Sequence, residues 1–164
     1  MKQDYQRKID DCGLELSGIK TWIDSHPMDT NVRYLVSYSV IKASGTIELV
    51  FKQMIYDFLA KNSNSETQHY LSTMIIDSSC NPTTGNISRL LSQADGNRST
   101  NFDTAVKALP QDKSNLNSLV SLRNDLAHGR TNNPSINTVK KYYESGVEIL
   151  KVLDRIITPP NGTT

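Results

Sequence analysis

Tyr5, Ile9, Cys12, Leu16, Ile19 and Ile23 recur at alternating spacings of four and three. Residues three and four apart share one face of an α-helix, so this spacing predicts an amphipathic helix over residues 4–24, ended by His26-Pro27. A longer helix is expected over 30–61. Its apolar positions include Leu35, Ile41, Ile47, Val50, Phe51, Met54, Ile55 and Phe58, spread widely enough to touch neighbours on two sides. Ser65 with Gln68 fits a capping box for a third helix carrying Leu71, Met74 and Ile75. Residues 78–85 read as a loop. Two short helical pieces follow, 87–94 and 102–109, separated by 95–99. Another helix starts after Pro110 and ends at His128-Gly129, with the glycine where left-handed backbone is wanted. Asn133-Pro134 is expected to open the last helix, whose stripe is Ile136, Val139, Tyr143, Val147, Leu150, Leu153 and Ile157. No segment alternates with period two, so no sheet is expected. The pattern predicts an all-α fold. It is a single domain over 1–158, an antiparallel helical bundle of four to five main helices plus short ones, with 159–164 as a frayed tail.

Composition narrows the class without changing that picture. A chain of 164 residues with 37% hydrophobic and 21% charged residues is ordinary for one globular domain. The net charge of +1 gives no overall basic field, so any polyanion must be gripped by a local cluster. Two cysteines are too few for a disulfide framework or a zinc cage, and Cys12 falls on the first helix's apolar stripe as a buried free thiol. The opening Met-Lys-Gln-Asp-Tyr-Gln-Arg-Lys leads into no apolar run, and no stretch is long enough to span a bilayer. A cytoplasmic protein without a membrane partner is expected, its three glycosylation sequons silent. There is no Walker loop, GxGxxG, HExxH or Cys/His cluster. His26 and His69 have no partner in sequence.

The chemistry concentrates in Leu122-Arg-Asn-Asp-Leu-Ala-His-Gly129. Leu116, Leu119, Val120, Leu126 and Ala127 form the inner stripe of this helix, and Arg123 lies on it. A guanidinium there needs a buried partner, or must sit where the stripe meets a cleft. His128 stands one turn beyond Asn124 on the same face. The spacing alone also fits a bland reading: a histidine favoured by the helix dipole, and an arginine that snorkels to water. Glu48 is in line with Ile41, Phe51, Ile55 and Phe58, where a lone carboxylate costs free energy unless it reaches the stripe's edge. Lys140 and Lys141 form with Arg130 either a local basic patch or part of a solvated face. Tyr142 can stack on a base only if it borders a cleft.

This stretch resembles the R-x4–6-H signature of the HEPN superfamily (higher eukaryote and prokaryote nucleotide-binding domains). There a polar residue such as Asn124 commonly follows the arginine. The long second helix, from Tyr34 to Glu48, looks like that of the RiboL-PSP-HEPN and MAE_28990-like nuclease branches. The resemblance spans most of the chain, but its specific part is only these six to eight residues. It implies a metal-independent endoribonuclease without cofactor, in which two copies of the chain pair so that both motifs line one cleft. It implies RNA as substrate, tRNA or another cellular RNA, and a toxin or antiphage role with an antitoxin or regulatory partner protein. Carried over residue by residue, Arg123 and His128 are the catalytic pair and Asn124 supports them. A polar residue of the second helix near the motif is common in the family, so Glu48 is expected to hold Arg123. The local basic patch of Arg130, Lys140 and Lys141, read from this chain alone, is expected to bind substrate. The toxin branch paired with minimal nucleotidyltransferases has a tyrosine two residues after the histidine. This chain has Arg130 there, which puts silencing by tyrosine modification in doubt. Two further readings stay open: a non-catalytic HEPN module that binds RNA or a protein, and an unrelated bundle acting as an adaptor.

Overall fold

The computed structural model describes residues 1–130, 132 and 134–158. Among them are seven α-helices and no strand: α1 Gln3–Ser25, α2 Val32–Leu59, α3 Ser65–Leu71, α4 Thr84–Ala94, α5 Gly96–Lys107, α6 Pro110–Ala127 and α7 Ile136–Ile157. A π-helical turn, Ser72–Ile76, continues α3. None of these helices is long and apolar enough to cross a membrane.

Local chemistry fixes the boundaries. Asn64 caps α3, its side chain accepting from the Thr67 amide at 2.9 Å. The expected capping box is therefore displaced by one residue: Ser65 is already helical, and Gln68 donates to the Ser63 carbonyl at 3.0 Å. Asp95 alone separates α4 from α5, because its Oδ1 accepts from the amides of Asn97 (3.0 Å) and Arg98 (3.2 Å). Such a cap satisfies orphan donors within one residue, and the five-residue break expected at 95–99 shrinks accordingly. Ser135 caps α7 through the Thr138 amide at 3.1 Å, so the helix begins after Pro134 rather than at it. Asn133 and the expected tail, 159–164, lie outside the described residues.

The core is shared by four long helices. At 28 residues α2 runs about 42 Å and packs on α1, α6 and α7. Chain neighbours α1 and α2 are antiparallel, as are α6 and α7, whereas α2 and α7 run the same way. Ile47 meets Gly146 midway along that pair, and Phe58 and Ile157 lie together at its end. Phe51, Ile55, Leu116, Leu119, Ile149 and Leu150 are fully buried, each stabilising the fold by about 1.5–3 kcal/mol. Gly146 permits the close approach of three helices. A Cβ there would stand 3.0 Å from Ile47 and 3.3 Å from Leu116. Polar ties cross the core as well: Asn115 donates to Ser145 at 2.9 Å, and Tyr143 donates to the Ile9 carbonyl at 2.7 Å. Cys12 is buried as a free thiol.

Two positions assigned to inner stripes are instead on the surface. Ile41 is 55% exposed, because α2 presents Val36, Val40, Ala43 and Ile47 to its neighbours and turns position 41 away. Ala127 is exposed at the last turn of α6, where burial has already faded to the half-buried Leu122 and Leu126.

Candidate functional site

Helix α6 ends in a turn that its sequence dictates. Gly129 has φ of +70°, which an L side chain adopts only with strain. That conformation closes a Schellman motif: the Gly129 amide reaches the Leu126 carbonyl at 3.1 Å, and the Arg130 amide reaches the Asp125 carbonyl at 2.9 Å. His128 is thereby fixed as the C-cap just past the helix, its amide on the Asn124 and Asp125 carbonyls and its side chain exposed.

Arg123 leaves the helix one turn earlier and points toward α2. Its Nη2 lies 3.9 Å from Glu48 Oε2, at the far edge of an ion pair. The other Glu48 oxygen is 2.8 Å from Lys52 Nζ, one turn along α2. Lys52 is buried, and its ammonium also donates to the Ser78 carbonyl and, at 3.5 Å, to that of Ile76. Glu48 is thus shared between two cations, with the nearer one taking the better geometry. The short hydrogen bond to Arg123 comes from elsewhere: Nη1 donates to Oδ1 of Asn81 at 2.7 Å, in the loop before α4.

The structure places Glu48 at 3.9 Å from Arg123 and adds Lys52 and Asn81 to the group. Lys52 stands four residues after Glu48, a spacing that pairs side chains on a helix and was readable in sequence. Asn81 is 42 residues from Arg123, and nothing in the sequence pattern pairs them. Asn124 is half-buried on α6 beside them.

The three cations assigned to substrate do not share a partner among the described residues. Arg130 folds back onto Asp125 at 3.2 Å, and Asn132 donates to the same carboxylate at 2.6 Å. Lys140 donates to Ser17 of α1 at 2.8 Å, while Lys141 is exposed. Tyr142 does border a cleft, a groove of about 360 Å³ between α6 and the start of α7, with Leu122, Asp125 and Thr138. A larger cleft of about 720 Å³ lies away from the motif, where Tyr5, Asp57, Phe58 and Arg98 meet. Of its charged groups Lys2 pairs with Asp57, while Arg98 pairs with Asp95 and Asp154 with the N-terminal ammonium. Among the described residues no three His, Cys, Asp or Glu side chains cluster as a metal site would require.

The arrangement offers a permanent positive charge, held but only partly neutralised, and an exposed imidazole on the same helix end. No curated protein and no solved structure matches the chain. The family described as RiboL-PSP-HEPN matches it over residues 6–159, which takes in α2, the Asn81 loop and the whole of α6 and α7. The chain therefore belongs to the RiboL-PSP-HEPN family, a HEPN family, and HEPN domains are nuclease or RNA-binding modules.

Proposed function

We propose that this chain is a metal-independent endoribonuclease, acting as a homodimer with a composite site built from Arg123 and His128. The observation that carries the reading is the exposed His128 five residues after a guanidinium whose nearest partner is a neutral amide.

In the reaction, the substrate's 2′-hydroxyl attacks the adjacent phosphorus. A base takes its proton, the bond to the 5′-oxygen breaks, and an acid protonates that oxygen. The products are a 2′,3′-cyclic phosphate and a free 5′-hydroxyl. An imidazole titrates near neutrality and serves either role. Arg123 presents a fork of donors to the oxygens on which charge develops. The nucleophile belongs to the substrate, so no metal is needed to generate it. Asn124 orients the pair, and Arg130, Lys140 and Lys141 draw the RNA backbone to the site.

One chain carries one such imidazole, whereas the reaction uses both a base and an acid, so a second copy completes the site. A surface for it runs along α2, where Tyr34, Tyr38, Ile41 and Leu49 are 45–59% exposed, with the exposed Gly45 between them. Exposed apolar stripes of this kind mark interaction sites. This one ends beside Glu48, so a copy seated on it borders Arg123. A cytoplasmic toxin or antiphage effector, cutting tRNA or another cellular RNA and restrained by a partner protein, is the role we assign. The alternative is a non-catalytic module that binds RNA or a protein. It is favoured by the contacts of Arg123 to Asn81 and Glu48, which a purely structural arginine would also make.

The test is cleavage of total tRNA and of a generic single-stranded RNA in EDTA, with light scattering to give the mass of the assembly. Wild type is expected to be a dimer and to leave cyclic phosphate ends. His128→Ala and Arg123→Ala are each expected to lose about 10²–10⁴-fold in rate. An inert wild type that binds RNA as tightly as both variants would transfer the assignment to the binding module.

A further inference from the structure

We propose that Asn81, outside the Arg-x4-His stretch, is the positioning residue of this site: it fixes the direction of the Arg123 fork without neutralising its charge. The proposal rests on the nuclease reading for its consequence in catalysis, but its geometry stands apart from that reading.

Three features of the loop argue for it. First, Asn81 is itself held. Its carbonyl accepts from the Thr83 amide and from the Asn86 side chain, both at 2.9 Å, leaving its amide oxygen to meet Arg123 at 2.7 Å. Second, the approach to the loop is anchored. The π-helical turn Ser72–Ile76 seats Ile75 in the core, and buried Lys52 grips the carbonyls that follow, those of Ile76 and Ser78. A π turn is a costly irregularity that is common near functional sites. Third, the charges are arranged to spare Arg123. Lys52 draws one Glu48 oxygen to 2.8 Å, while the other stays 3.9 Å from the guanidinium. A neutral amide supplies the one short bond. A guanidinium has five N–H donors, and one of them held by an amide leaves a fork that is oriented and still fully charged. A carboxylate at the same distance would orient it equally well and cancel the field that a phosphate feels.

Two substitutions separate orientation from charge. Asn81→Ala keeps the charge and releases the fork. Its single-turnover cleavage rate at saturating RNA is expected to fall about tenfold or more, since misplacing a catalytic group by an ångström costs up to about a hundredfold. Its RNA Kd is expected to stay within about twofold. Asn81→Asp keeps the fork and opposes the charge, so RNA Kd is expected to weaken about tenfold. A readout independent of cleavage is NMR relaxation of the Arg123 Nε–Hε group. Its order parameter is expected near the rigid value of about 0.85 in wild type and Asn81→Asp, and below about 0.6 in Asn81→Ala. An order parameter unchanged by Asn81→Ala overturns the proposal whatever the kinetics. A wild type that cuts no RNA sinks the nuclease reading, and the order parameter then decides the role of Asn81 alone.

Discussion

At the C-terminal end of α2, Asp57 accepts hydrogen bonds from Tyr5, from Lys2 at 2.6 Å and from Gln53 at 2.8 Å. Beside it Arg98 pairs with Asp95 at 3.1 Å, donates to the Ile156 carbonyl and lies over the Phe58 ring, 4.7 Å from its centroid. Nine residues earlier on the same helix, Glu48 divides itself between Lys52 and a distant Arg123. The first cluster is closed, with each carboxylate and cation spent on its neighbours. In the second the guanidinium has one short partner, the neutral amide of Asn81, and its side chain is 35% accessible. Charged groups that stabilise a fold are saturated by it, while groups kept for a ligand are oriented and left short of partners.

The strongest way to break this comparison is to cut each cluster once. Arg123→Ala is expected to cost about 10²–10⁴-fold in cleavage rate while the thermal midpoint moves by no more than about 2 °C. Asp57→Ala is expected to do the reverse. It leaves the buried Tyr5 hydroxyl without its acceptor and lowers unfolding free energy by about 1–3 kcal/mol, with cleavage retained. If Asp57→Ala silences cleavage with the fold intact, the distinction between the clusters fails.

Smaller effects sharpen it through pH. Burial alone pushes the Asp57 carboxyl up, but hydrogen bonds from Lys2, Tyr5 and Gln53 outweigh burial and hold it below the ordinary aspartate value. The Tyr5 phenol is pushed far up, by burial first and by its bond to Asp57 second. Asp57 therefore contributes stability above its unfolded value of about 3.9, lost as pH falls through the lower folded value. Tyr5 contributes stability below about pH 10, lost as pH rises above that. The urea midpoint is expected to fall on both flanks, where Glu15 adds to the acid one and the buried Tyr143 to the alkaline one. Asp57→Asn should reduce the acid flank and Tyr5→Phe the alkaline one. The smallest expected change is Gly129→Ala, about 1 kcal/mol from an alanine forced to positive φ. Its effect on cleavage is expected to exceed its effect on stability, because His128 hangs on that turn.

The helices were legible because their stripes obey one period, and the interior of the bundle follows from them. What misled were the edges of those stripes. Ile41 and Ala127 match the spacing of their neighbours, yet a helix buries only the arc its neighbours cover, and no sequence count gives the width of that arc. Ser65 with Gln68 satisfied a capping pattern, but the preceding Asn64 is as good a cap and stands first in the chain. In the site, Arg123 and Glu48 were readable as polar residues on apolar stripes, each in need of a partner. Asn81 was not, because an asparagine in a loop carries no such tension. Its contact with Arg123 arises only when the π turn and Lys52 bring that loop to α6.

The ending of α6 at His128 bears on the looseness of the R-x4–6-H signature. Within a continuous helix each inserted residue turns a side chain by about 100° and advances it by about 1.5 Å, so a spacer varying by two would scatter the histidine over half the circumference. Here the arginine lies in the regular part of α6 and the histidine at the point of release, after which Gly129 reverses the backbone. Beyond that point angular phase no longer accumulates, and the imidazole's bearing is set by the turn. A motif astride such a boundary tolerates a variable spacer as a hinge pin tolerates play, provided the reversal that follows the histidine is kept.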